Sequence, residues 1–318
     1  MEELQSCHKK AFTLICEALE LDENCLDEIH AVNRRKHACD LYKKGVRGLD
    51  TAKRALYEAV ILPMLNPDVF TGLREPVQGI LLFGPPGNGK TFLAKAIANE
   101  TKSYFFNISA SALTSKWVGE AEKLVKALFA LARDLQPSII FIDEIDSILC
   151  ERSEKENEVS RRLKTEFLVQ FDGMASNSDD KLLVIGATNR PYELDDAVIR
   201  RFPKRIYIGL PEDDSRATLI KKLLQQQNNP LNDTQIRQVV RMTEGYSNWD
   251  LTHLAKEAAL GPVREVPPGT LKNLKADKLR PISVADFREA ANKIRPSSNP
   301  KILEKLMEFA ENYGEIQK

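Results

Sequence analysis

Residues 84 to 91 read Gly-Pro-Pro-Gly-Asn-Gly-Lys-Thr, set between the apolar run Gly79 to Phe83 and the helix-forming stretch Phe92 to Asn99. Strand, glycine-rich turn and helix in that order build an α/β unit with an anion site at the carboxyl end of its strand. Gly84, Gly87 and Gly89 let main-chain amides close around a polyphosphate, and the positive end of the following helix adds to the field. The cradle runs through Gly84, Pro85, Pro86, Gly87, Asn88, Gly89, Lys90, Thr91 and Phe92. Lys90 is placed to reach β and γ phosphates, and Thr91 to offer its hydroxyl to the magnesium ion that accompanies ATP. A glycine-rich turn before a helix can be plain chain reversal, but the ordered succession of all three elements weighs against it.

Downstream, short apolar or β-branched runs alternate with helical stretches, as in a parallel sheet covered on both faces. The expected strands are Gly79 to Phe83, Tyr104 to Ile108, Ser138 to Ile142, Leu182 to Ala187 and Arg205 to Ile208. Strand signals stop after Pro211, and residues 215 to 260 carry helical periodicity almost throughout. Pro267, Pro268 and Gly269 interrupt that region before a last helix from about Pro300 to Asn312.

Two of these strands end in reactive groups. Ser138 to Ile142 delivers Asp143 and Glu144 where ligands of open α/β sheets bind. Asp143 suits the magnesium shell, and Glu144 suits orienting and polarising an attacking water. An ordinary acidic strand-to-loop pair is the competing account. Leu182 to Ala187 leads into Thr188-Asn189-Arg190, where the Asn189 amide would lie beside the γ phosphate and align the same water; asparagine at a strand end is also a common turn former. Arg200 and Arg201 are adjacent guanidinium groups of the kind that stabilise charge developing on a transferred phosphoryl group, with surface charge as the alternative.

With 318 residues the chain accommodates two compact units, and Lys plus Arg balance Asp plus Glu at 46 each. No global charge draws it to nucleic acid or to a membrane surface. No apolar run approaches the length of a membrane span, the start Met1-Glu2-Glu3 is no secretory signal, and five cysteines fit free thiols in a reducing compartment. Cys7, Cys16, Cys25 and Cys39, with His8, His30 and His37 near them, could bind a metal or be buried thiols beside surface histidines; there is no Cys-x-x-Cys pair. Arg34, Arg35, Lys36, Lys43, Lys44, Arg47, Lys53 and Arg54 make either a solvated helix surface or a patch for an acidic partner.

From about Gly48 onward these signals resemble the AAA ATPase family. The stretches Phe105-Phe106-Asn107-Ile108-Ser109, Leu135 to Glu144, Cys150-Glu151-Arg152, Ser160 to Phe167 and Ala258 to Pro262 are similar to its microtubule-severing group, as is Asn88, where many relatives carry threonine. The resemblance implies a P-loop AAA module with a five-stranded parallel sheet flanked by helices at 47–211, a small helical lid domain at 212–318, and a short helical N-terminal segment at 1–46. It implies that Arg200 and Arg201 project into the site of a neighbouring subunit, so that the working particle is a ring, a homo-hexamer. Lys116, Trp117 and Val118, with Gly119, match the first pore loop, which grips an extended polypeptide. The segment 151–162 matches the second, with Arg152, Arg161 and Arg162 facing the glutamate-rich tails of tubulin. Trp117 could instead be core, though its neighbours Ser115, Lys116 and Gly119 read as surface loop.

Residues Cys7 to Val46 resemble the front of a microtubule-interacting and trafficking domain, a helical bundle that holds short helical tails of membrane-remodelling filament subunits. That stretch reads as shortened, running straight into Gly48-Leu49-Asp50 of the AAA-like part. The second departure from the family is Asn248-Trp249, where relatives have glycine and a small residue in a turn that borders the base; the indole there would stack on adenine or crowd it. The resemblance implies a cytoplasmic ATPase on microtubules, perinuclear in place, that uses ATP and Mg2+ to pull acidic tubulin tails through a pore and cut filaments. The alternatives are a disassembly ATPase for membrane-remodelling filaments and a non-severing subunit of mixed rings.

Overall fold

The computed structural model describes residues 50–110, 120–150, 158–175, 181–225, 231–267 and 279–315. Helix α1 (Asp50–Leu56) continues through a π-helical turn (Tyr57–Ile61) into the short α2 (Leu62–Leu65). There follow β1 (Gly79–Phe83), α3 (Lys90–Glu100), β2 (Tyr104–Ser109), α4 (Glu120–Asp134), β3 (Ser138–Asp143), α5 (Asp146–Leu149), α6 (Glu158–Ala175), β4 (Leu182–Thr188), α7 (Asp196–Arg201) and β5 (Lys204–Tyr207). The five strands form one sheet in the order β2-β3-β4-β1-β5, and each neighbouring pair is parallel.

Every residue of β1 and β4 is buried, which is why these strands read as unbroken apolar runs rather than as an alternation. The period of two still sorts their side chains by face. Ile80 and Leu82 enter a core with Leu93, Ile97, Phe141 and Ile185, under α1 and α3. Leu81 and Phe83 enter the opposite core with Phe129, Phe167, Phe202 and Phe309. Where the expected strands and the ladder differ, three strands gain a residue at the carboxyl end: Ser109, Asp143 and Thr188 all pair, through Ser109 with Asp143 and Thr188 with Phe83. Pairing fixes the backbone of a polar residue that hydropathy alone would leave in a loop. The β5 strand begins and ends one residue earlier than expected, at Lys204 and Tyr207, set by the pairing of Ile80 with Lys204 and of Phe83 with Tyr207.

The second unit comprises α8 (Asp213–Gln225), α9 (Asp233–Met242), α10 (Asn248–Ala259), α11 (Gly261–Arg264) and α12 (Val284–Lys293). Its core is separate and includes Ile220, Leu224, Val239, Leu251, Leu254 and Phe287. Side-chain caps begin three of its helices. Asn232 with Gln235 starts α9, Ser247 with Asp250 starts α10, and Ser283 with Asp286 starts α12, each giving an orphan amide a partner. The buried Asp250 also accepts hydrogen bonds from the amide and hydroxyl of Ser297, which fastens the chain after α12 to the start of α10.

The last helix, α13 (Pro300–Tyr313), follows the lid in sequence but does not pack with it. Its apolar face, Leu306, Phe309 and Ala310, completes the core of the large unit, with the Phe309 ring edge-on to Phe83 at 5.2 Å between centroids. The Glu315 amide donates to the Arg205 carbonyl at 3.0 Å, and Glu315 pairs with Lys204 at 2.7 Å. Burial of Leu306 and of Phe309 is each worth roughly 1.5–3 kcal/mol. The 212–318 segment is thus continuous in sequence, but its final helix belongs by packing to the sheet. Among the described residues no helix is long and apolar enough to cross a membrane.

Candidate nucleotide site

The loop after β1 adopts a conformation that requires its glycines. Gly84 lies at φ +144°, and a Cβ there would stand 2.1 Å from the Ile208 carbonyl oxygen, so no other residue fits. Gly87, at φ +78°, meets the lid: a Cβ would lie 2.9 Å from Cβ of Trp249. Pro86, Gly87, Gly89 and Phe92 are exposed along the loop and the first turn of α3, whereas Pro85, Asn88 and Lys90 are buried. The open side of the loop presents main chain to a ligand, while the closed side is anchored.

Lys90 uses all three of its protons. Its Nζ donates to the carbonyls of Gly84 at 2.9 Å and Pro85 at 3.0 Å, and to Oδ1 of Asn189 at 2.6 Å. Burial lowers its ammonium pKa to about 8, against the attraction of Asp143 and Asp146, which favours the charged form. The Thr91 hydroxyl donates to Oδ2 of Asp143 at 2.8 Å. A hydroxyl and a carboxylate oxygen side by side at the mouth of a phosphate loop are the hard oxygen donors that suit Mg2+. Glu144 is exposed at φ +52°, and its amide donates to Oδ1 of Asp143 at 3.0 Å. A left-handed glutamate is uncommon, and here it turns the chain sharply at the end of β3.

Sequence reasoning missed the role of Thr188 and the contacts that join Asn88 and Gly87 to the turn at Asn248 and Trp249. Thr188, almost wholly buried, donates its hydroxyl proton to Oδ1 of Asp146 at 2.6 Å and accepts from the Arg190 amide at 2.9 Å. Asn88 joins loop and lid: its Nδ2 donates to the Pro85 carbonyl at 3.3 Å, and its Oδ1 accepts from the Asn248 amide at 3.2 Å. The Trp249 amide donates to the Gly87 carbonyl at 3.1 Å, so the amino terminus of α10 rests on the phosphate loop. The Trp249 ring is exposed and lies 3.9 Å from that of His253. Asparagine and threonine at turns gave a generic signal for these roles, but nothing local named their partners.

The structure does not bring Arg200 and Arg201 to Lys90 of their own chain. The Arg201 carbonyl lies against Gly79, the first residue of β1, and Gly84 is five positions further on, about 16 Å along an extended strand. Arg201 is bound within the chain: Nε and Nη2 grip the two carboxylate oxygens of Asp172 at 2.6 and 2.5 Å, and Nη1 donates to the Ala197 carbonyl at 2.8 Å. Those bonds to Asp172 raise its already high pKa. Arg200 is exposed and makes no hydrogen bond or ion pair among the described residues. Arg161 and Arg162 stand exposed on α6, Arg162 paired with Glu158 at 2.6 Å. Lys116, Trp117, Val118 and Arg152, and the N-terminal segment 1–46 with its cysteines and histidines, lie outside the described residues.

Residues 80–210 match the family model described as "ATPase family associated with various cellular activities (AAA)", and residues 267–314 match the "Vps4 C terminal oligomerisation domain". The solved FIGL-1 AAA domain in complex with ADP is 49% identical, with a TM-score of 0.78, over 85% of this chain and 89% of that one. The chain belongs to the AAA family of ATPases. The AAA part extends the likeness to curated proteins. Spastin of Gallus gallus is 58% identical over 270 residues, 85% of this chain and 44% of that protein. The spastin homolog of Caenorhabditis elegans is 60% identical over 271 residues, 85% of this chain and 53% of its own length. The chain therefore spans about half the length of the curated relatives it matches. As an AAA ATPase it carries the nucleotide fold of the family, and the loop, lysine and hydroxyl–carboxylate pair described above fit its cofactor.

Proposed function

We propose that this chain is a microtubule-severing ATPase whose subunits assemble into a hexameric ring and draw acidic tubulin tails through the central pore. The observation that carries the reading is the division of the catalytic groups. Lys90, Thr91, Asp143 and Asn189 converge within one chain, while Arg200, with no hydrogen bond or ion pair among the described residues, adjoins Arg201, whose carbonyl lies at the opposite end of β1. Such a site is completed by the next subunit, and the oligomerisation-domain match over 267–314 agrees with that. The likeness to spastin supports a microtubule substrate.

Within the site, Lys90 neutralises β and γ oxygens, Glu144 polarises a water, and Asn189 aligns it. Thr91 and Asp143 would hold Mg2+, whose chemistry when bound is to neutralise charge on the phosphates. A neighbour's Arg200, with Arg201, offsets charge on the transferred group. Lys116, Trp117 and Val118 grip the tail, and Arg152, Arg161 and Arg162 attract its glutamates. Cytoplasmic, microtubule-associated placement agrees with that substrate.

The deciding experiment images labelled microtubules with this chain and ATP. Cutting is expected with the parent and absent with Glu144→Gln, which still binds nucleotide. Trp117→Ala is expected to keep basal hydrolysis and lose cutting; unchanged cutting refutes the pore assignment. The match to an oligomerisation domain named for Vps4 favours one second reading, a disassembly ATPase for membrane-remodelling filaments reached through the N-terminal helices. Turnover stimulated by those filament tails but not by glutamate-rich tubulin peptides selects it. Hydrolysis with no cutting at any concentration selects a non-severing subunit.

A further inference from the structure

The two residues assigned to the attacking water come from different strands, and the structure holds their carrier loops together at two points. At the first, the Ile145 amide donates to the Ala187 carbonyl at 3.0 Å. At the second, the Thr188 hydroxyl donates to Oδ1 of Asp146 at 2.6 Å. Glu144 immediately precedes the first bolt and Asn189 immediately follows the second. The Thr188 oxygen also accepts from the Arg190 amide, so the main chain on both sides of Asn189 is fixed by one side chain, itself only 1% exposed. A hydroxyl has one proton, and here both its donor and acceptor directions are committed, leaving Thr188 a single orientation.

We infer that Asp146 and Thr188 form a positioning pair that sets Glu144 and Asn189 in register for hydrolysis, without contacting nucleotide themselves. The inference rests on the roles given to Glu144 and Asn189 above. Lys90 and the loop amides are carried by β1 and α3, and Lys90 keeps its bonds to the Gly84 and Pro85 carbonyls when its third partner, Asn189, shifts, so loosening the pair should lower turnover and spare nucleotide affinity. A misplacement of about 1 Å between reacting groups costs on the order of a hundredfold in rate.

The test uses the whole chain, steady-state ATP turnover and fluorescent-ADP binding. Thr188→Val keeps the shape and removes the hydroxyl; kcat is expected to fall by about tenfold to a hundredfold, with KM and ADP affinity within about twofold of the parent. Thr188→Ser restores the hydroxyl and should recover turnover to within about threefold, which an effect of packing alone would not produce. Asp146→Ala leaves the Thr188–Arg190 bond in place and should lower kcat as Thr188→Val does. The double variant should be no slower than the slower single, the signature of one shared interaction. The inference is overturned by undiminished kcat in Thr188→Val, by an equal loss in Thr188→Ser, by a matching loss of ADP affinity, or by multiplicative losses in the double variant. Glu144→Gln run in parallel separates the two levels: full turnover there sinks the water assignment itself. Filament cutting does not enter the readout.

Discussion

Asn189 Oδ1 accepts a hydrogen bond from Lys90 Nζ at 2.6 Å, a contact between residues 99 positions apart that links the chain after β4 to the start of α3 at the mouth of the phosphate loop. The same ammonium is held by two carbonyls of its own loop. On the proposed reading a triphosphate exchanges these acceptors for its own oxygens, and its binding depends on the charge of Lys90.

That dependence gives a pH prediction. With Lys90 near pKa 8 in the nucleotide-free chain, the charged form that binds phosphate is dominant at pH 7 and falls to about a tenth by pH 9. ATP affinity is expected to weaken across this window, and titration of labelled nucleotide at pH 7, 8 and 9 measures it. The stability linkage has the opposite sense. The native state sheds this proton near pH 8, whereas an exposed lysine in the unfolded chain keeps it to about 10.4, so this group adds stability as pH rises between those values. Lys90→Met should remove both trends.

Arg200 and Arg201 should differ. Arg200 is unengaged among the described residues, so Arg200→Ala is expected to leave ADP binding intact and lower turnover by about a thousandfold. Arg201 must first leave Asp172, so Asp172→Asn is expected to change turnover and Arg201→Ala to have a smaller effect than Arg200→Ala. Mixing Arg200→Ala with Lys90→Ala subunits should recover activity that neither has alone, because intact sites then form at one class of interface. Failure to complement would place Arg200 outside a neighbour's site.

Trp249 offers an optical readout. Its backbone is tied to Gly87 and its ring is exposed beside the loop, so a nucleotide seated on the loop is expected to alter its emission. Trp249→Ser should abolish the ADP-induced change. Tighter ADP binding in that variant would mean that the indole crowds the base, weaker binding that it stacks on it.

The docking of α13 can be measured directly. Phe309→Ala empties a ring-sized space against Phe83 and Tyr313 and is expected to destabilise the chain by about 3–5 kcal/mol in urea unfolding. Met307→Ala, on the exposed side of the same helix, should fall within about 0.5 kcal/mol of the parent.

Much of this protein is legible in its sequence. Uninterrupted apolar runs announced strands buried on two faces, and three glycines before Lys90 announced a loop that only main chain can line. Asp143, Glu144 and Asn189 stand out as candidates because ligand chemistry in such sheets collects at carboxyl strand ends. The strand ends differ from the apolar runs by a residue, since pairing rather than hydropathy decides whether Ser109, Asp143 and Thr188 belong to the ladder.

The local order of residues determined which elements form and which chemical groups lie at their ends, because those depend on periodicity, glycine conformation and neighbours a few positions away. Only the tertiary structure decided that Asn88 meets Asn248, that Thr188 locks to Asp146, that Arg201 is bound by Asp172, and that the apolar face of α13 leaves the lid for Phe83. An apolar stripe or a hydroxyl states that it needs a partner, while the choice among distant candidates depends on how the whole chain packs.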